Sequence, residues 1–410
     1  MMASNATADT APTPEELKAR FGRDIFNDFD FNDPVFNDRF GEILEEHLAH
    51  CPVAWSNDGT GYWWVSRHDD VRRVAQDWQT FSNADGYAPN RPADMAYLYP
   101  EECDPPRHTS WRRVLNPHLS PKVVANFEQA IIDDTNALID RFIANGGCEF
   151  ISEFGSILPG WVFFKNVLGV PIDDLPMLVE NAEMANFAPA AERQIYIDRV
   201  WTYLDEYLKE RIGQPSRGDI VDSILAGVKY EDDSEAPWEH KVSVLVDITF
   251  GGINTTTYVL ASAIKHMAEQ PADREYLAAN PDAMPTAVEE FVRMFPPIVG
   301  LGRTCTRDVE VGGTQMKKGD FVMIAYSASS RDPRVVDNAS VVDIHREGVP
   351  HYTFGLGAHR CIGSNLARLE ICTVLQQWLK RIPNFSVKPA SEAVYITGFL
   401  RAMRQLDLVW

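Results

Sequence analysis

Long hydrophobic runs are missing from this chain. The most apolar stretch, Ile157 to Val170, is broken by Pro159 and Lys165 and is too short to cross a bilayer, so no membrane partner is expected. Cysteine is scarce: six residues (Cys51, Cys103, Cys148, Cys305, Cys361 and Cys372) are scattered without framework spacing, which excludes a disulfide scaffold and fits reduced thiols in the cytoplasm. Zinc lacks ligands, because neither a C-x-x-C nor an H-x-x-x-H pairing lies near Cys361. Positive charge is short as well. Thirty-eight Lys and Arg against 59 Asp and Glu leave a net charge of −21, which argues against nucleic acid or an anionic membrane as the main partner. Internal repeats and low-complexity tracts are absent. Met1 to about Arg20 has neither the apolar core nor the basic start of a signal peptide and reads as a disordered tail, residues 1–20, ahead of a single domain over 21–410 that works as a monomer.

What is present is core and one unusual loop. Hydrophobic residues make up 45% of the chain, enough for a large core in one helical domain. Near the C-terminal end, Phe354-Gly355-Leu356-Gly357-Ala358-His359-Arg360-Cys361-Ile362-Gly363 describes a tight loop that presents a sulfur and then enters a helix, signalled by Leu366, Leu369, Ile371, Leu375 and Trp378. Just ahead of a helix N-terminus, the dipole and unpaired N–H groups favour a thiolate, which is a metal ligand or a nucleophile. On the residues alone Cys361 remains open between a buried structural thiol, a nucleophile awaiting a base, and a metal ligand.

The whole string resembles the haem-binding loop of the cytochrome P450 family, Phe-Gly-x-Gly-x-His/Arg-x-Cys-x-Gly, without departure. The resemblance implies a mainly α fold with small β-sheets, haem b held between a long distal helix and the loop, and Cys361 as axial ligand of the iron. Thiolate ligation favours O–O cleavage.

Two further motifs carry the likeness. Asp104-Pro105-Pro106-Arg107-His108-Thr109-Ser110-Trp111-Arg112 opens a helix with His108 and Arg112 four apart on one face; by resemblance these bind a haem propionate. Glu290 and Arg293, at i and i+3, resemble the family's Glu-x-x-Arg, a buried structural network behind the haem. Arg303 stands where the family has a second propionate-binding arginine, and His359 joins this set. Phe354, Gly355 and Gly363 belong to the loop itself. The run Trp378 to Ser386 and the ending Leu408-Val409-Trp410 look closest to the soluble bacterial camphor-hydroxylase branch.

Between the motifs, Gly61 to Ser66 predicts a strand, and Asp69 to Asp77 a helix begun by a capping acid. Phe81 to Cys103 holds prolines and tyrosines without a period and reads as a long irregular loop. A long helix is expected from Lys241 to about Gln270, although Gly251-Gly252-Ile253-Asn254-Thr255 sits in its middle, where each glycine costs about 0.8–1 kcal/mol relative to alanine. Spacing alone makes this a helix-packing site; the resemblance makes it the oxygen-binding groove, with Thr255 holding the water that protonates bound oxygen. Most family members carry an acid before that threonine, and here it is Asn254.

The resemblance therefore implies a monooxygenase that uses O2 and electrons from a [2Fe–2S] ferredoxin and its reductase to hydroxylate a small hydrophobic, monoterpenoid-like substrate. The expected docking surface is a basic island of Arg107, Arg112 and Arg113 against one acid, Asp104. The expected pocket is lined by Tyr97, Asp247, Phe250, Ile298, Val299, Phe399 and Leu400. The alternatives are a peroxide-driven or rearranging haem-thiolate enzyme and, from another class, a non-catalytic haem sensor.

Overall fold

A computed structural model describes residues 11–89, 91, 95–189, 191–348, 350–396 and 398–410. The expected tail does not run to residue 20. Thr13 and Glu16 form a reciprocal capping box at the start of helix α1 (Pro14–Phe21), and Leu17 and Phe21, four apart, bury their side chains beneath it. Two satisfied donors and two buried apolar groups hold this segment; residues 1–10 lie outside the described range.

The fold is mainly helical. Helices that build the functional region are α2 (Arg107–Leu115), α3 (Leu175–Phe187), α4 (Arg193–Glu210), α5 (Trp238–Gly252), α6 (Asn254–Glu269), α7 (Met284–Met294) and α8 (Ser364–Arg381). One five-stranded sheet joins β1 (Val53–Ser56), β2 (Tyr62–Val65), β3 (Phe81–Ser82), β4 (Leu301–Cys305) and β5 (Phe321–Ile324) in the order β1-β2-β5-β4-β3, parallel only between β2 and β5. Three smaller sheets accompany it among the described residues.

The core falls into a large helical cluster that includes α5, α6 and α8, and two smaller ones against the faces of the sheet. In one of these, Phe29, Phe36 and His47 surround Trp64, with Phe29 in edge contact with Phe36 at a centroid distance of 5.1 Å. Taken as one 32-residue unit, Trp238–Glu269 is long and apolar enough to cross a membrane, with mean hydropathy 1.2, yet 72% of its apolar window is buried inside the fold. It is the central core helix.

The helix predicted at Asp69 runs His68–Gln76, and no side chain of its own caps it. Its acid comes from far away: the His68 N–H donates to the Asp332 carboxylate at 3.0 Å. The expected long helix is interrupted at Ile253, whose φ of −108° and ψ of −74° separate α5 from α6.

Candidate active site

A cavity of about 920 Å³ opens between the α5–α6 junction on one side and the Cys361 loop on the other. The loop is shaped by its backbone. Gly355 and Gly357 both take positive φ, +66° and +64°, where a side chain would be strained, and the Cys361 N–H folds back onto the Phe354 carbonyl at 2.7 Å. The Arg368 guanidinium stacks over the Phe354 ring at 4.3 Å and pairs with Glu289, fastening the loop to α7 and α8. Cys361 lines the cavity and its side chain is exposed there. The protein packed around it still pushes its thiol up by desolvation, while the Gly363 N–H and then Arg112 pull it back toward thiolate.

Four basic groups gather at one end. His108 and Arg112, one turn apart on α2, and Arg303 in the middle of β4 line the cavity with His359 from the loop. Leu301 and Arg303, two apart on β4, face the same side as a strand requires. The two imidazoles lie 4.2 Å apart between centroids; His108 Nδ1 and His359 Nε2 are buried without a hydrogen-bond partner. Burial, together with the Arg112 and Arg303 charges, lowers His108 to about 4 and holds His359 well below the usual histidine range. Each arginine meets a carbonyl: Arg112 Nη2 reaches Arg360 O at 2.7 Å and Arg303 Nη1 reaches Gly302 O at 2.6 Å. Orphaned donors beside two buried guanidinium groups and a sulfur ligand fit a dianionic porphyrin, its propionates on the basic cluster and its iron at Cys361.

The distal wall separates the two glycines. A Cβ on Gly251 would meet nothing within 4 Å, whereas one on Gly252 would strike the Phe163 ring at 2.7 Å. Gly252 is therefore a packing glycine and Gly251 leaves the open space. Thr255 lines the cavity, and its hydroxyl donates to the Gly251 carbonyl at 3.0 Å, one turn back beside the helix break. Asn254 also lines the cavity, but its amide is engaged with the Ala182 carbonyl of α3 through a long 3.4 Å bond.

Of the predicted substrate residues, Asp247, Phe250, Ile298, Phe399 and Leu400 line the cavity. Val299 and Tyr97 do not. Ile298 pairs with Leu400 in an extended bridge, so alternation turns Val299 to the opposite side, where it is fully buried in the Trp64 cluster. The Tyr97 ring lies outward beneath the Arg91 guanidinium at 4.1 Å, 43% exposed. Its carbonyl accepts from the Ser243 hydroxyl at 2.5 Å, and Ser243 Oγ in turn accepts from the Tyr99 N–H at 2.9 Å, which ties this loop to α5. Tyr87 takes the position expected of Tyr97, with Phe163, Trp201 and Glu101 completing the wall. Nothing in their spacing marked these residues.

Glu290 and Arg293 are 2% and 0% exposed and form a two-bond pair, 2.7 Å each, whose remaining atoms meet Ser330 O, Ala339 O and the Asp343 N–H. The basic island is largely taken apart: Arg112 points into the cavity, Arg107 lies over Tyr230 at 4.5 Å facing Glu231, and Asp104 is occupied by Ser82 and Asn83. Arg113 alone stays exposed, along with Arg360 of the loop. Glu370, on α8, also borders the cavity; its Oε1 has no partner, and burial alone pushes it up to about 8.

A family model described as cytochrome P450 matches residues 177–397. Cytochrome P450 130 of Mycobacterium tuberculosis is 30% identical over 337 residues, covering 80% of this chain and 83% of that protein. Linalool 8-monooxygenase of Pseudomonas putida is 27% identical over 407 residues, covering 94% and 98%. Among solved structures, CYP101J2 superimposes with a TM-score of 0.83 at 29% identity, over 94% of this chain and 97% of that one.

Proposed function

The chain belongs to the cytochrome P450 family, haem-dependent monooxygenases that use O2 as co-substrate, and from that premise we propose that it hydroxylates a compact, largely apolar molecule of monoterpenoid size with electrons from a [2Fe–2S] ferredoxin. The observation that carries the reading is the cavity itself: one sulfur, four basic groups and a broken distal helix share a single enclosed space. Haem b, when bound, supplies the oxidising chemistry. Cys361 is the iron's ligand, and His108, Arg112, Arg303 and His359 hold the propionates. Phe250, Ile298, Phe399 and Leu400 exclude water and fix the substrate's orientation. The Thr255 hydroxyl, released from the Gly251 carbonyl, holds a water over the open space that Gly251 leaves. The action on linalool named for one relative, a monoterpenoid alcohol, supports the substrate size. Exposed Arg113 and Arg360 offer cations near the loop for an acidic ferredoxin. Six free thiols suit a reducing compartment such as the cytoplasm.

A peroxide-driven oxidation is the second reading, favoured by Asn254 standing where family members carry an acid. The test begins with the red-shifted carbonmonoxy Soret band of a thiolate-ligated haem, which Cys361→His should abolish. NADH consumption with a ferredoxin system, scored by oxygenated product, then separates the two readings. A band that survives Cys361→His would remove the ligand assignment.

A further inference from the structure

The substrate wall carries two carboxyl groups that the reading above does not use. Asp247 lies on α5 one turn before Gly251 and faces the cavity with it; Glu101, from the loop ahead of α2, borders the same space. Neither makes an ion pair among the described residues. The adjacent Glu102 is different, since Arg91 holds it at 3.1 Å and the Leu98 N–H at 2.8 Å. Glu102 is a satisfied structural acid, while Glu101 and Asp247 turn toward the ligand space.

Their environment is acidic and half-buried. Burial pushes Glu101 up to about 7, partly offset by Arg303, and Glu102 raises it further. Burial, then Glu101 and Glu102, hold Asp247 well above the usual carboxylate range, against the opposing pull of Arg112 and of the Glu101 N–H that donates to it. Carboxyl groups so placed resist ionising together, and a cation seated between them would favour the ionised form of both. The cations nearest them are Arg112 and Arg303, which sit in the propionate cluster. Two propionates match those two guanidinium groups, and both histidines are held neutral by burial. At the mouth, Arg193 and Asp198 are both exposed and offset each other. What remains deep in the cavity is a pair of carboxyl groups with no cation of their own, a wall that a cationic ligand would complement and a neutral one would not.

We infer that the substrate of this cavity carries a positively charged nitrogen, seated against Glu101 and Asp247, on an otherwise compact apolar body. A hydroxyl would give one donor to the wall without matching its charge. The aromatic ring of Tyr87, which also lines the cavity, offers a face for the same cation. The inference rests on the haem-thiolate reading for the ownership of Arg112 and Arg303.

The test uses the haem-loaded enzyme and a matched pair of probes: cyclohexylmethyl-trimethylammonium and neopentylcyclohexane, its neutral carbon isostere. The quaternary nitrogen has no lone pair, so it cannot ligate iron. Dissociation constants come from spin-state titration, with calorimetry on the soluble cation as a second readout. The ammonium should bind at least about tenfold tighter than the hydrocarbon, equivalent to about 1.4 kcal/mol. Glu101→Gln and Asp247→Asn should each cut the preference, and the double variant should remove it. Glu101→Gln, nearly isosteric, keeps the test open if the double variant folds poorly. Equal affinities in the unmodified enzyme, or a preference that survives Glu101→Gln and the double variant unchanged, would overturn the inference. The two readings fail separately: a wild-type enzyme without the thiolate carbonmonoxy band sinks the haem assignment, whereas equal affinities in an enzyme that has the band sink the cationic substrate.

Discussion

Glu370→Gln isolates the consequence of a proton held inside the fold. Glu370 is 2% exposed, has one oxygen without a partner, and is raised from an ordinary 4.5 to about 8 by burial with no cation nearby to oppose it. The folded protein thus keeps the proton across a range where the unfolded chain has released it. The sign follows. Below pH 4.5 both states are protonated and the group is neutral toward folding; from there to pH 8 the unfolded state is favoured increasingly; above pH 8 both are ionised and the slope ends. One proton is worth about 1.4 kcal/mol per pH unit, so between pH 6 and pH 8 the wild type loses about 2 to 3 kcal/mol that a glutamine does not. The amide brings its own cost, an extra buried donor of about 1–3 kcal/mol, but that cost does not vary with pH. The quantity to measure is therefore the change in the variant's Tm difference between the two pH values. For a chain of this length it should be about 3 °C in the variant's favour at pH 8, read from thermal scans of the haem-loaded proteins at one scan rate. A Tm difference identical at pH 6 and pH 8 would mean that Glu370 does not hold its proton, and the argument from burial would be wrong.

The adjacent glycines should answer alanine in opposite ways. Gly252→Ala drives a methyl into the Phe163 ring and should lower stability by about 1–3 kcal/mol in denaturant unfolding, while Gly251→Ala meets no atom, gains up to about 1 kcal/mol of helix propensity, and should instead weaken ligand-induced spin-state shifts. Asn254→Asp restores the family's usual acid but sets a carboxylate against the Ala182 carbonyl; it should cost about 1–3 kcal/mol at pH 7 and leave the turnover rate and its solvent isotope effect unimproved, a faster enzyme being the contrary result.

The parts of this protein that could be read from sequence are those whose geometry is local. The Cys361 loop declares itself through glycines that need positive φ within ten residues, the His108–Arg112 pair through one helical turn, and Glu290–Arg293 through an i, i+3 spacing that three backbone groups then complete. The misses are contacts across long separations. Only the position of Phe163 tells which of Gly251 and Gly252 is a packing residue, and only Ser243 Oγ, 146 residues from Tyr97, explains why that part of the loop is fastened to α5. Arg107 reads as a free cation in the sequence, yet Tyr230 and Glu231, from the acidic turn before α5, occupy it. Glu101 is illegible for the same reason: its N–H meets Asp247 of α5, and no local pattern links them. The break at Ile253 shows a milder failure, since the weak helix formers were recognised but their local sum did not locate the residue at which the ladder opens.

The alternation at Ile298 and Val299 sets terms for anyone remodelling the enzyme. Ile298 borders the ligand and Val299 the Trp64 cluster, so two neighbouring codons answer to unrelated pressures. Size changes at Ile298 trade one ligand shape for another, whereas size changes at Val299 are judged by the packing of a sheet face that no ligand touches. A library that varies both together would discard its best pocket designs as misfolded protein, and an insertion or deletion of one residue here would exchange the two roles outright.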